Sequence, residues 1–244
     1  KRCRSGKTNY MSGADVTSGI LDVPGQQGAG RSRLRIKVCG MTDAEQVRQL
    51  DEMGVEFAGF IFYPRSPRYV LKSMQPEDIR KIRRRINKVG VFVNAGANEV
   101  LQTVDACGLY LVQLHGDESP KVCESIADYI TVVKAFRLTD DDNVMWKIKD
   151  YQDVVDMFMF DTEGAGYGGT GKKFNWDKLK GLNIRKPFFL SGGITPDDAL
   201  ALKEFQKEAV AKDLFAVDIN SKFELVPGVK NMEKVRKFVR DLSG

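Results

Sequence analysis

Two side chains in this sequence could exchange protons with a substrate, Cys39 and Asp161. A thiol ionises at a pKa of about 8.5 and can act as a base near neutral pH where its surroundings favour the thiolate. A carboxyl group ionises near about 4, but burial raises its pKa and lets it donate a proton. Together the two groups could catalyse an isomerisation by proton transfer, without metal or cofactor. Taken singly, Cys39 could equally be a core residue and Asp161 a residue that anchors its loop.

Further polar residues are candidates for binding a substrate. The planar guanidinium group of Arg68 matches a carboxylate, although a lone arginine more often lies on the surface. Gln113, His115 and Asp218 are predicted to line the pocket, with His115 as a hydrogen-bonded wall of the site instead of a catalyst.

Glycine and small polar residues form two candidate phosphate-binding loops, Ser191-Gly192-Gly193 and Asn220-Ser221. Backbone N–H groups and a helix amino end could bind a phosphate there, whereas glycines after a strand could also just turn the chain. The pairing of both loops favours phosphate. Gly171, which closes a stretch with five glycines over 164–171, is assigned to the same site. That stretch is predicted to be a hinged lid.

Each candidate ends or follows a short apolar stretch, and these stretches predict the strands. Eight strands are predicted, at 34–38, 55–62, 89–93, 110–114, 130–135, 154–160, 187–190 and 214–217. Helices are predicted after them, from a cap at Thr42, near 76–86, 97–107, 119–127, 140–150 and 175–181, from Thr195-Pro196, and near 231–241.

Eight strands that are apolar on both faces and alternate with helices predict an α/β fold, a single (β/α)8 TIM barrel over residues 34–244. The alternative, an open doubly wound sheet, normally carries a GxGxxG motif after its first strand, and Cys39-Gly40-Met41 is not one. Barrel active sites lie at the carboxyl ends of the strands, so the barrel predicts that the candidate residues converge.

The formal net charge of +5 arises at the amino end, because residues 1–35 hold seven Lys/Arg and two Asp. The remainder is neutral overall, so no nucleic-acid partner is expected. Residues 1–33 are predicted to be a flexible extension, and their composition is also compatible with a non-native origin.

Four scattered cysteines and one histidine predict no metal site and a reducing, cytoplasmic location. The chain lacks an apolar run of about 20 residues, so no membrane association is expected.

Seven segments in order resemble the phosphoribosylanthranilate isomerase family of tryptophan biosynthesis, over roughly residues 34–242. These segments are Lys37-Val38-Cys39-Gly40-Met41-Thr42, the pair Phe60–Pro64 and Ser66–Tyr69, Gly90–Asn94, Val112–Gly116, Asp161-Thr162 with Tyr167–Gly171, Leu190–Gly193, and Val217-Asp218.

The resemblance implies an Amadori rearrangement of the small phosphosugar N-(5-phosphoribosyl)anthranilate, catalysed without a cofactor. It implies that Cys39 is the general base, that Asp161 is the general acid, and that Arg68 binds the anthranilate carboxylate. Either a monomer or a homodimer is expected. The sequence departs from the family at the phosphate site. Lys222 stands where the family usually has glycine, so the backbone conformation of this loop is in question.

Two other enzymes and a binding protein are the alternatives. An indole-glycerol-phosphate synthase would require a lysine pair and a glutamate at strand ends. A ribulose-phosphate epimerase would require metal-binding histidines, and this chain has one histidine. A phosphate-binding barrel without catalysis is disfavoured by Cys39, Arg68 and Asp161 together. An upstream fused domain ending in residues 1–33 is disfavoured by their composition.

Overall fold

Parallel strands hydrogen-bond in chain order and close into a barrel in the computed structural model, which describes residues 33–82, 85–162 and 175–244. Closure is complete because β1 pairs with both β2 and β8. The barrel strands are β1 (Arg35–Cys39), β2 (Phe57–Ile61), β3 (Asn87–Phe92), β4 (Leu111–Leu114), β5 (Thr131–Leu138), β6 (Met157–Thr162), β7 (Phe188–Leu190) and β8 (Leu214–Ile219). The predicted (β/α)8 TIM barrel is therefore confirmed.

Helices connect the strands and cover the barrel. They are α1 (Ala44–Glu52), α2 (Pro76–Lys81), α3 (Ala97–Cys107), α4 (Pro120–Ala127), α5 (Val144–Ile148), α6 (Ala199–Phe205) and α7 (Met232–Ser243). Short 3-10 turns supplement them at Val70–Lys72, Lys149–Tyr151, Trp176–Leu179, Pro196–Asp198, Ala209–Asp213 and Ser221–Phe223. The helix predicted near 175–181 is thus only a 3-10 turn in the described part of the β6–β7 connection.

Alternation along each strand divides the core into two layers. In β6, Met157 and Met159 belong to the cluster inside the barrel, while Phe158 and Phe160 pack in the layer between barrel and helices. Because side chains two apart on a strand share a face, the next inward residue is Asp161. The same alternation on β1 and β4 carries Cys39 and Gln113 inward.

Two local features differ from the predictions. The cap of α1 is Asp43, whose carboxylate accepts the N–H of Glu45 at 2.8 Å, so the prediction of Thr42 was wrong. The Thr42 hydroxyl instead donates to the carbonyl oxygen of Gly228 at 2.7 Å. Gly228 belongs to an unpredicted hairpin of β9 (Glu224–Val226) and β10 (Val229–Lys230), which contacts α1 through Gln46.

Three predictions concern residues that lie outside the described ranges, with one residue as the exception. The amino-terminal extension, apart from Arg33, lies outside them, as do the proposed lid 164–171 and Gly171 within it.

Among the described helices, none has the length and apolarity to cross a bilayer. Cytoplasmic location, the oligomeric state and the lack of a nucleic-acid partner stay predictions.

Candidate active site

A cavity at the carboxyl ends of the strands collects the predicted site residues. Its empty space, counted to the open mouth, is about 750 Å³. Every predicted site residue in the described ranges lines it: Cys39, Arg68, Gln113, His115, Asp161, Ser191, Gly192, Gly193, Asp218, Asn220 and Ser221. Gly171 lies outside the described residues. Apolar walls come from Ile61, Val91, Val93 and Ile194.

Cys39 lies against a buried ion pair. Lys37 Nζ is 2.9 Å from Asp218 Oδ1, and their side chains are 1% and 5% exposed. Burial raises the pKa of the Cys39 thiol above its ordinary value, the charge of Lys37 opposes that rise, and Asp218 adds to it. The thiol form therefore dominates at neutral pH.

Asp161 is hydrogen-bonded on both oxygens. Oδ2 lies 3.1 Å from His115 Nε2, and Oδ1 accepts the N–H of Thr162 at 2.8 Å. Gln113 Nε2 lies 2.6 Å from His115 Nδ1. If the Gln113 amide donates, a neutral His115 carries its proton on Nε2 and donates to Asp161. Burial raises the pKa of Asp161, but His115, the N–H of Thr162 and the charge of Lys37 together hold the pKa below its ordinary value. Asp161 is thus ionised in the ligand-free protein, unlike the protonated acid that burial alone predicts.

Arg68 is held in place by a carboxylate that sequence reasoning missed. Its Nε and Nη2 donate to Glu224 at 2.6 to 3.0 Å, and Nη1 is outside these hydrogen bonds. Glu224 also accepts from Lys230 Nζ at 2.8 Å and from the N–H of Gly228 at 3.0 Å. Burial raises the pKa of Glu224, but Arg68 and Lys230 outweigh it, so the net pKa is lowered. Glu224 is therefore a permanent anchor for Arg68.

The candidate phosphate loops meet beside this network. Gly192 and Gly193 have φ of +93° and +69°, which glycine adopts without strain. Consecutive N–H groups in such conformations form anion-binding concavities. The Asn220 side chain accepts from Lys230 Nζ at 2.8 Å. Lys222, in the 3-10 turn Ser221–Phe223, does not have the positive φ that would demand glycine, so lysine fits this backbone.

A second buried ion pair supports the loop that carries His115. Glu118 accepts the N–H groups of Asn94 and Gly116 at 2.8 to 3.0 Å, and its partner Lys134 lies 2.9 Å away. A side chain at Gly116 would lie 2.3 Å from the Asn94 amide oxygen. Glycine is therefore required for this close approach.

Lys37, Glu224 and Lys230 are the site residues that sequence reasoning did not single out. Only Lys37 gave a local signal, a charge between apolar residues two positions before Cys39. Glu224 and Lys230 lie on the hairpin, whose position follows only from the folded barrel. No group of three or more His, Cys, Asp or Glu that could hold a metal is found in the described part of the chain.

Comparison with known proteins gives one family. Residues 36–241 match the family model for N-(5′-phosphoribosyl)anthranilate isomerase. An isomerase of that name from Phocaeicola vulgatus is 38% identical over 208 residues, which is 85% of this chain and 97% of the relative. The crystal structure of phosphoribosyl anthranilate isomerase from Thermotoga maritima is 32% identical with a TM-score of 0.75, covering 86% of this chain and 99% of that one.

A further solved structure is described as phosphoribosyl anthranilate isomerase in complex with reduced 1-(o-carboxyphenylamino)-1-deoxyribulose 5-phosphate. It is 30% identical with a TM-score of 0.71 and covers 86% of this chain and 99% of that one. The family match spans nearly all of the barrel, from β1 to α7. The chain therefore belongs to the N-(5′-phosphoribosyl)anthranilate isomerase family.

Proposed function

We propose that this protein converts N-(5-phosphoribosyl)anthranilate to 1-(2-carboxyphenylamino)-1-deoxyribulose 5-phosphate, an Amadori rearrangement in tryptophan biosynthesis. The observation that carries the proposal is that Cys39 and Asp161 line one cavity together with Arg68 and both glycine-rich loops. The family membership supports the same reaction. A ligand that carries both a phosphate and an aromatic carboxylate matches these groups.

The substrate phosphate binds the loops after β7 and β8. Backbone N–H groups near Gly192 and Gly193, with the Ser191 and Ser221 hydroxyls, act as donors to its oxygens. Lys230 lies behind Asn220 and adds positive charge to this side of the cavity. Arg68 Nη1 donates to the anthranilate carboxylate, while Glu224 fixes the orientation of the guanidinium plane.

Asp161 acts first, as the general acid. It donates a proton to the furanose ring oxygen while the bond from that oxygen to C1′ breaks, and the nitrogen lone pair forms the C=N bond of a Schiff base. Asp161 must be protonated for this step, although His115 keeps it ionised in the free protein. The bound phosphate and carboxylate add negative charge and exclude water, and both effects raise the pKa of the Asp161 carboxyl.

Cys39 acts second, as the general base. Its thiolate removes the proton from C2′, so that an S–H bond forms as the C–H bond breaks, and the electrons neutralise the iminium as an enol amine. C1′ then gains a proton while the C2′ hydroxyl loses one, which gives the ketone. The substrate gains two protons, at the ring oxygen and at C1′, and loses two, from C2′ and its hydroxyl, so the product is an isomer of the substrate and the steps use no cofactor or metal.

Substituting the two proton-transfer groups tests the proposal. Cys39→Ser and Asp161→Asn should each lower kcat by about 100-fold or more, because each removes a general acid or base. Turnover is followed by the loss of phosphoribosylanthranilate fluorescence with purified, folded protein. Asp153→Asn, an exposed aspartate before β6, is the matched control and should keep wild-type turnover.

Two outcomes would contradict the proposal. Near-normal rates in both variants would remove the assigned mechanism. Binding of a product analogue without any turnover by the folded wild-type protein would instead favour a phosphate-binding barrel that lacks catalysis.

A further inference from the structure

Lys37 is a fully buried lysine inside the barrel, two positions before Cys39. Residues two apart on a strand share a face, so both side chains point into the interior. Gly59 of β2 lies opposite Cys39 in the strand register. A side-chain carbon at Gly59 would lie 3.0 Å from Cys39 Sγ and 3.2 Å from Lys37 Cε. Because residue 59 has no side chain, the lysine stem and the thiol can both lie in the space that such a side chain would fill.

A charge in this position requires an explanation. An apolar residue would fill the same space without the cost of burying an ammonium group, and replacing a buried ion pair by apolar residues is often neutral or stabilising. Asp218, the register partner of Lys37 on β8, balances the charge at 2.9 Å. The carboxylate of Asp218 offsets the cost of burying the ammonium group, but it does not explain why the ion pair lies next to a thiol.

Charged and titratable groups face Cys39 from several elements. Asp218 lies on β8 and Lys230 on β10. Across the cavity are Asp161 on β6 and its partner His115 in the loop after β4, and Arg68 lies in the loop after β2. Arg68 and Lys230 both donate to Glu224. Lys37 lies on the same strand as Cys39, and its charge acts on the thiol more strongly than that of Lys230 does.

We propose that Lys37 is a positioning residue for proton abstraction, because its ammonium is shared between Asp218 and Cys39 and stabilises the thiolate that removes the substrate proton. The thiol first releases its proton to solvent, and the ammonium then donates to the sulfur. When the thiolate takes the C2′ proton, an S–H bond replaces the C–H bond and the ammonium returns to Asp218. This role rests on the proposed function of the protein.

The test is the pH dependence of Cys39 alkylation in the full-length protein. Iodoacetamide reacts with the thiolate, and peptide mass spectrometry follows Cys39 separately from the other cysteines. Lys37→Met should move the midpoint upward by about one pH unit or more, a roughly tenfold lower thiolate fraction at pH 8. Asp218→Asn should move it downward, because the ammonium is released to the sulfur and a negative charge is lost. Lys37→Arg should restore most of the wild-type midpoint.

Lys134→Met is the matched control, because Lys134 is also a buried, ion-paired lysine of the barrel, but its partner is Glu118. This control should leave the Cys39 midpoint unchanged. An unchanged midpoint in folded Lys37→Met, or an upward shift in Asp218→Asn, would overturn the role of Lys37. If Lys37→Met does not fold, the direction of the Asp218→Asn shift decides.

The experiments distinguish a failure of the role of Lys37 from a failure of the proposed function. Wild-type turnover of phosphoribosylanthranilate with unmoved alkylation midpoints would refute the role of Lys37 alone. Absence of turnover by folded wild-type protein would refute the proposed function, whatever the midpoints are. With both correct, kcat/KM of Lys37→Met at pH 8 should fall about tenfold and recover as the pH rises, which a purely structural defect would not do.

Discussion

At the scale of single residues, the proposed acid and base have pKa values displaced away from each other. The pKa of Asp161 is lowered by His115 against the effect of burial, and that of Cys39 is raised by burial. The competent state needs one proton on the pair, and this one-proton form exists between the two pKa values. Activity should therefore span a wide pH range, although the microstate with protonated Asp161 and ionised Cys39 is a minor one.

His115 sets the acid limit of this range. In His115→Leu, Asp161 loses one of its two hydrogen-bond donors while burial and the Thr162 N–H remain, so the pKa of the carboxyl should rise. Because kcat/KM follows the ionisations of the free enzyme, its acid limb should move to higher pH. The measurement is the pH profile of kcat/KM, with circular dichroism at each pH to show that the protein is folded.

His115→Gln is the control for this substitution, because its amide can still donate to Asp161. The acid limb in His115→Gln should stay closer to that of the wild type than the limb in His115→Leu. Identical acid limbs in His115→Leu and the wild type would show that the imidazole does not control the ionisation of Asp161.

At the scale of elements, the cap of α1 is a local interaction that can be measured alone. Asp43→Ala removes the acceptor for the Glu45 N–H and should lower the free energy of unfolding by about 1 kcal/mol. Urea unfolding should show a lower midpoint with an unchanged m-value. Asp128→Ala, at the carboxyl end of α4, is the matched control and should be neutral or slightly stabilising. A loss in Thr42→Ala without one in Asp43→Ala would restore Thr42 as the cap.

Elements with strong periodicity were predictable from the sequence. The eight apolar stretches predicted the strands to within a few residues, and the helix at 97–107 has the predicted bounds. The cap of α1 was predicted one residue too early, at Thr42 instead of Asp43, because the Thr42 hydroxyl is bound to the hairpin. That contact joins residues 186 positions apart, so no local pattern could reveal it.

The site was predictable only as far as strand ends define it. Cys39, Asp161 and the glycine-rich loops follow strands, and a barrel brings strand ends together. The partner of Arg68 could not be found in this way, because Glu224 is 156 positions away on an unpredicted hairpin. Likewise, the ionised state of Asp161 depends on the hydrogen bond from His115 and not on burial alone.

At the scale of the whole molecule, the barrel combines an apolar core with buried titratable groups, and these couple stability to pH. Cys107 and Cys123 lie in the outer apolar layer, and burial raises the pKa of each thiol from 9.0 to about 11. A raised folded-state pKa contributes stability that is complete below the unfolded-state pKa. That stability is lost as the pH rises toward the folded-state value, because the unfolded chain releases its protons first.

The free energy of unfolding should therefore fall between about pH 9 and pH 11, by roughly 1 to 2 kcal/mol for each thiol by pH 10.5. Urea unfolding at pH 8 and pH 10.5 measures this loss. Cys107→Ala and Cys123→Ala should each be less stable than the wild type at pH 8, because they remove buried atoms. Each should nevertheless lose less stability between the two pH values, since one ionisable thiol is gone. Parallel losses in the wild type and both variants would assign the alkaline transition to other groups, such as the buried Lys37.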